Sequence, residues 1–139
     1  LKPVLNTIVE IAKSDKHLEL TNLVIPKLND DREKFRSMVN WIFEETGPDT
    51  VLHLSRYFPR FMSKEQSTSY ETLHEFYNIA SKKLKHVYLG NINSQNGINT
   101  YCSNCGNLVI SRRNYTIELR VLQKDGICTK CGHKIIDHL

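Results

Sequence analysis

Four cysteines in two matched pairs carry the most explicit chemistry in the chain: Cys102-Ser103-Asn104-Cys105-Gly106 and Cys128-Thr129-Lys130-Cys131-Gly132. Two thiolates separated by two residues can grip one ion from a single tight turn. The glycine after each second cysteine permits a positive φ that aims backbone N–H groups at sulfur. Two such turns complete a tetrahedron. With 22 residues between the pairs, the interval is slightly longer than the usual ribbon spacing but of the same type. Four sulfur ligands leave no open position for water or substrate, so Cys102, Cys105, Cys128 and Cys131 predict a structural Zn²⁺ site. Iron in a rubredoxin-like centre suits the same S₄ geometry. Disulfides are the third alternative. These are the only cysteines of the chain, and a reducing cytoplasmic setting is the simpler expectation.

Such a site needs a scaffold, and length and composition bound what it can be. The 139 residues, 40% of them apolar, have room for one medium domain and a small appendage. No stretch approaches the ~20 apolar residues needed to cross a bilayer, so no membrane partner is expected. The formal charge of +4 falls to +2 when four thiolates and one Zn²⁺ are counted, too little to imply a polyanion partner by itself.

Leu1 begins directly inside an amphipathic helical pattern of Leu1, Val4, Leu5, Ile8, Ile11 and Ala12, with no capping residue before it. That opening predicts a piece of something longer. Residues 18–26 read as a buried strand stopped by Pro26. A helix follows, with Asn29-Asp30-Asp31 offering caps, Asp30 and Glu33 at capping-box spacing, a stripe of Phe35, Met38, Val39 and Ile42, and Gly47-Pro48 as its end. Thr50 to Leu54 gives a second strand. Thr68 and Glu71 repeat the cap signature before a helix burying Leu73, Phe76, Tyr77, Ala80 and Leu84, and His86 to Gly90 gives a third strand.

The alternation of helix and strand, with crossovers long enough to keep the strands parallel, predicts an α/β architecture. Three strands leave at least one sheet edge unpaired, so further strands are expected from a missing N-terminal part of the same polypeptide. Residues 1–92 thus form the first predicted domain. Residues 93–99, rich in Asn, Ser and Gly, read as a linker, and residues 100–139 as a four-cysteine β ribbon. In the ribbon, strands at Leu108 to Ser111 and Tyr115 to Val121 flank an Arg113-Asn114 turn.

The runs Thr21-Asn22-Leu23-Val24-Ile25-Pro26-Lys27-Leu28-Asn29-Asp30, Leu52-His53-Leu54-Ser55-Arg56-Tyr57-Phe58-Pro59 and Val87-Tyr88-Leu89-Gly90-Asn91-Ile92, followed by the ribbon, carry a family resemblance. In combination they resemble the C-terminal half of radical S-adenosylmethionine enzymes. The group they look most like is the AmmeMemoRadiSam system radical SAM enzymes, relatives of pyruvate formate-lyase activating enzyme. The resemblance implies the C-terminal portion of a (β/α) barrel, three parallel strands with their helices, followed by the zinc ribbon. In the parent it implies S-adenosylmethionine and a 4Fe-4S cluster on a C-x3-C-x2-C loop, one-electron cleavage to a 5′-deoxyadenosyl radical, and a protein among its possible substrates. That loop is absent from this sequence, and the ribbon cysteines have the wrong spacing to replace it. The chain alone is therefore expected to be inactive and to have no catalytic residue of its own.

In activating enzymes of this kind a strand-end histidine in a Pro-Tyr-His context contacts the cofactor, and His53 in Val-Leu-His-Leu matches it. The resemblance also puts the equivalent of Leu23 beside the cofactor, and Thr21 and Glu19 share that face of their strand. Plainer readings stand beside these: a histidine satisfied by a backbone carbonyl, and a hydrogen-bonded or solvated strand face. Related proteins usually carry Gly where this chain has Lys27, which puts the shape of that loop in question.

Two rival functions come from other classes. Arg112, Arg113, Arg120, Lys124 and Lys130 with Tyr101 and Tyr115 could make the ribbon a nucleic-acid binder, but acidic residues and thiolates dilute that charge and argue against it. Exposed aromatics after the second strand, Tyr57, Phe58 and Phe61, would suit a protein-interaction module.

Overall fold

The computed structural model describes residues 1–94 and 96–136. Gln95, in the predicted linker, and residues 137–139, at the end of the predicted ribbon, lie outside the described residues. The chain is mixed α/β and divides into two compact units, Leu1–Asn93 and Ser94–Leu139.

The first unit runs α1 (Lys2–Ala12), β1 (Glu19–Val24), α2 (Arg32–Thr46), β2 (Val51–Arg56), α3 (Tyr70–Ala80), β3 (His86–Gly90). Its three strands form a parallel sheet in the order β1-β2-β3, open at both edges among the described residues. Side chains alternate across a strand, so one face presents Leu20 and Val24, Leu52 and Leu54, Val87 and Leu89. That face packs under α2 and α3, whose Phe35, Val39, Ile42, Leu73, Phe76 and Ala80 complete a buried core with Leu84. Phe35 and Phe76 stack at 3.9 Å between the two helices. Each such side chain contributes roughly 1.5–3 kcal/mol when fully buried. The opposite face carries Glu19, Thr21, Leu23, Val51, His53, Ser55, His86, Tyr88 and Gly90, and none of these is buried.

Both long helices start one residue later than the capping-box spacing predicts. Asp31, not Asp30, caps α2 by accepting from Lys34 N at 2.8 Å, because Asp30 is committed to Lys27 N at 2.8 Å. Ser69, not Thr68, caps α3 by accepting from Thr72 N at 3.1 Å. Thr68 is instead fully buried; its hydroxyl donates to Val24 O at 2.6 Å and accepts from Tyr57 N at 2.9 Å. One side chain thus clamps the ends of β1 and β2, and β2 extends to Arg56, two residues past the predicted strand.

The second unit holds β4 (Thr100–Tyr101), β5 (Leu108–Arg113) and β6 (Thr116–Leu119), an antiparallel sheet in that order. Val109, Ile110, Cys102 and Cys128 are its buried centre. Tyr115, Ile117 and Leu119, which alternate with Thr116, Glu118 and Arg120 in the sequence, are exposed. Val109 and Ile110 of β5 already fill the small interior, leaving β6 with no buried residue.

Candidate functional site

The ribbon cysteines converge. All four Sγ atoms lie within 4.8 Å of one another, with Cys102 to Cys131 at 3.6 Å and Cys105 to Cys128 at 3.8 Å. A tetrahedron with metal–sulfur bonds of about 2.3 Å has edges of about 3.8 Å, whereas a disulfide needs about 2.05 Å. The four cysteines are free thiols here, and their arrangement could hold a metal ion.

Two local motifs with the same hydrogen-bond pattern build this geometry. In the first, Cys102 N donates to Asn107 O and Gly106 N donates to Cys102 O, both at 2.8 Å; in the second, Cys128 N donates to His133 O and Gly132 N to Cys128 O, both at 2.9 Å. Gly106 and Gly132 take φ of +70° and +72°, so each glycine serves the positive φ its position predicts. The turns also aim donors at sulfur. Asn107, through its side chain 3.2 Å from Cys105 Sγ and through its backbone N–H, brings the Cys105 thiol down to about 6. The Asn104 side chain and the His133 backbone N–H lower Cys131, while burial pushes Cys102 up to about 11. Donors to sulfur stabilise thiolate, the ligand form.

Several of the ribbon's basic groups are committed within it. Arg112 donates to Ile98 O at 3.0 Å and to Thr100 Oγ1 at 2.8 Å, Arg120 pairs with Glu118, and Lys134 donates to Asp125 O at 2.6 Å. Tyr101 and Tyr115 are exposed.

On the first unit, the parallel register brings the other predicted residues together on the unburied sheet face. Thr21, His53 and Tyr88 form the middle row, flanked by the Glu19, Val51, His86 row and the Leu23, Ser55, Gly90 row. His53 therefore lies mid-strand, three residues before the end of β2, whereas the resemblance implies a strand-end position. Its Nε2 is 2.9 Å from Glu19 Oε2, and its ring lies 5.6 Å from that of Tyr88. The partner of His53 is thus a carboxylate from the neighbouring strand, not a backbone carbonyl.

Sequence reasoning missed His17, whose Nε2 lies 2.9 Å from Glu19 Oε1. The i, i+2 spacing of His17 and Glu19 on extended chain was the available signal. The His17 hydrogen bond, joined by His53, holds the Glu19 carboxyl below its ordinary range against the opposing effect of partial burial. Leu23 is 42% exposed on the same face.

Beyond the carboxyl ends of the strands, Lys27 after β1, Phe61 after β2 and Asn91 after β3 each take a positive φ, at 65°, 54° and 56°. The left-handed backbone at Lys27 is where glycine would sit without strain. Its ammonium is 3.1 Å from Glu65 Oε2. Arg56 places its guanidinium over the rings of Phe58 at 4.7 Å and Tyr70 at 4.3 Å. Phe61 is almost wholly exposed, Phe58 partly so. No helix among the described residues is long and apolar enough to cross a membrane.

Over 140 aligned positions covering 97% of its length, the chain is 36% identical to the uncharacterized protein MJ0808 of Methanocaldococcus jannaschii. It spans 41% of that protein's length. No family model matches the chain, and no solved structure does.

Proposed function

We propose that this chain is the C-terminal portion of a radical S-adenosylmethionine enzyme related to pyruvate formate-lyase activating enzyme, contributing three β/α units to the barrel wall and a structural zinc ribbon. The observation that carries the reading is the asymmetry of the parallel sheet. One face is sealed under α2 and α3; the other is unburied and holds His53 beside Glu19 in its middle. Parallel sheets are normally covered on both faces, and a barrel built from further strands would enclose this one. The relative's 59% outside the matched stretch leaves room for those strands.

Glu19 and His53 suit a cofactor that is cationic and rich in N–H and O–H donors, as S-adenosylmethionine is. The carboxylate supplies negative charge and the imidazole a hydrogen-bonding edge. Thr21 and Leu23, flanking them, would bound the pocket. When bound and reduced by a cluster, that cofactor supplies one-electron chemistry for hydrogen abstraction. The cluster must be held by the rest of the parent, because the cysteines of this chain converge on a single mononuclear S₄ point. Zinc is the metal proposed for that point, in a role confined to holding the ribbon together.

The test uses the longer polypeptide that carries this chain, reconstituted anaerobically with iron and sulfide and assayed for 5′-deoxyadenosine. Reductive cleavage that falls in His53→Ala is the expected result. A parent without a C-x3-C-x2-C loop, or one that does not bind S-adenosylmethionine, would sink the reading. Elemental analysis and the visible spectrum separate colourless zinc from coloured ferric iron in the ribbon.

One observation favours a second reading, in which the ribbon is a protein-interaction module. Ile117 and Leu119 are 63% and 56% exposed along β6, Tyr115 in the turn before it is 103% exposed, and the outer edge of β6 is unpaired among the described residues. Apolar side chains on an open edge invite a partner strand. Replacing Ile117 and Leu119 with Ser should abolish association if that reading holds and leave it untouched if it does not.

A further inference from the structure

The His17, Glu19, His53 cluster is a finished hydrogen-bonded unit. Glu19 Oε1 meets His17 Nε2 and Oε2 meets His53 Nε2, each at 2.9 Å. An ionised carboxylate only accepts hydrogen bonds, so the nitrogen facing it must carry a proton. We propose that Glu19 is a positioning residue that holds His53 in its Nε2–H form, leaving Nδ1 as a lone-pair acceptor for an N–H or O–H group of the ligand.

The geometry supports this in three ways. First, the His53 side chain is 34% exposed, so the ring is open to a ligand while one nitrogen is already taken. Second, Glu19 reaches His53 from a different strand, across the parallel register, so the ring is held by an element other than its own. Third, His17 occupies the other carboxylate oxygen and restrains the carboxyl group on that side. A carboxylate that orients an imidazole through one nitrogen while the other acts on a ligand is a recurrent arrangement in metal and hydrolase sites. The tautomer is a property of this chain. The identity of the ligand rests on the proposed reading, under which the donor is an amino, ammonium or hydroxyl group of S-adenosylmethionine.

The experiment is nitrogen-15 NMR of the histidine rings in the full 139-residue chain with its ribbon loaded with zinc, beside Glu19→Gln and Glu19→Ala. Glu19 is half exposed at the start of an edge strand, so neither substitution opens the core; backbone amide dispersion checks that directly. A single Nε2–H form of His53 in the native chain, with a hydrogen-bonded ring proton lost in Glu19→Ala, is expected. Glu19→Gln can still accept one bond and should retain part of that signal. Nδ1–H in the native chain, or a ring signature indifferent to both substitutions, overturns the proposal.

The ligand half is read on the longer polypeptide by titration with S-adenosylmethionine. Glu19→Ala should weaken binding about tenfold with unchanged iron content, the equivalent of about one hydrogen bond. Unchanged affinity beside an altered tautomer overturns the ligand role. No binding by the native parent overturns the radical S-adenosylmethionine reading instead, with the tautomer result intact.

Discussion

Replacing Thr68 with Val is the sharpest test of how the first unit holds its strand ends together. The substitution keeps a β-branched shape and removes only the hydroxyl that donates to Val24 O at 2.6 Å and accepts from Tyr57 N at 2.9 Å. Thr68 has no solvent exposure, so water cannot enter to replace those bonds without displacing packed atoms. Each backbone group left without a partner costs about 1–3 kcal/mol, so the two together give a loss of roughly 2–6 kcal/mol. For a unit of this size about 1 kcal/mol moves the melting temperature by roughly 4–8 °C, so a fall of at least about 8 °C is expected. The assay is tryptophan fluorescence, because Trp41 is the only tryptophan and packs against the core of this unit, so the signal reports on that core. Thr68→Ser, which keeps the hydroxyl and loses one methyl, should cost only about 1 kcal/mol. If Thr68→Val stays within about 0.5 kcal/mol of the native chain, or if Thr68→Ser costs as much, the Thr68 hydroxyl is not what secures the ends of β1 and β2.

Four further outcomes follow from the same structure. Stripping the metal with a chelator, or Cys105→Ser, should erase amide protection across the ribbon while the Trp41 transition stays where it was; loss of both signals together would mean that the units do not fold separately. Gly126→Ala should destabilise the ribbon by more than about 3 kcal/mol, seen as a fall in metal affinity, because Gly126 has φ +80° and an added Cβ would lie 1.9 Å from Ile136 O; a neutral result would mean the loop moves freely. Lys27→Gly should leave the thermal melt within about 1 kcal/mol of the native chain, since relief of the positive φ is set against added chain entropy and the loss of the cation beside Glu65, whose Oε2 is buried; a loss above about 1 kcal/mol would show that the pair outweighs the backbone relief. Burial holds His86 below its ordinary value, against Asp49, which favours its charged form. A base with a depressed folded pKa binds its proton more readily when unfolded, so that contribution is present above pH ~6.5 and is lost as pH falls through and below it. His86→Gln should flatten that acid limb of the stability profile, and an unchanged limb would assign it to other groups.

What the sequence reveals depends on how far apart the interacting residues are. The two C-x2-C-Gly turns are legible because ligands and supporting glycine lie within five residues, and nothing distant alters what they can build. The third strand is legible to the residue, since the buried Val87 and Leu89 alternate with their flanks. Helix starts slip by one because two adjacent carboxylates, Asp30 and Asp31, both suit a cap. The choice is made by the left-handed Lys27, whose N–H takes Asp30 out of contention. At β6, alternation identifies two faces without saying which is inward, and β5 decides that from outside the segment. The Glu19 to His53 bond spans 34 positions and exists only because β1 and β2 pair in one particular register. No local pattern could supply it.

The two units differ in what they leave unfinished, and that difference orders the functional argument. In the ribbon, turns, glycines and N–H donors all point at four sulfurs, and one ion would satisfy the set. A site complete in itself has little left with which to do chemistry. In the α/β unit the core under the helices is equally complete, yet the reverse of the same sheet offers an ordered middle row of Thr21, His53 and Tyr88 that no layer seals among the described residues. Burying that face against aliphatic side chains would strand the Glu19 carboxylate, at a cost far above that of leaving it wet. A polar ligand, or a cavity that admits one, removes the conflict. The carboxylate between two imidazoles is therefore better explained by something that binds against the sheet than by another packed layer, and Glu19→Leu separates the two. It should stabilise the longer polypeptide if the face is destined for apolar packing, and should weaken ligand binding there about tenfold or more if the face is a pocket wall.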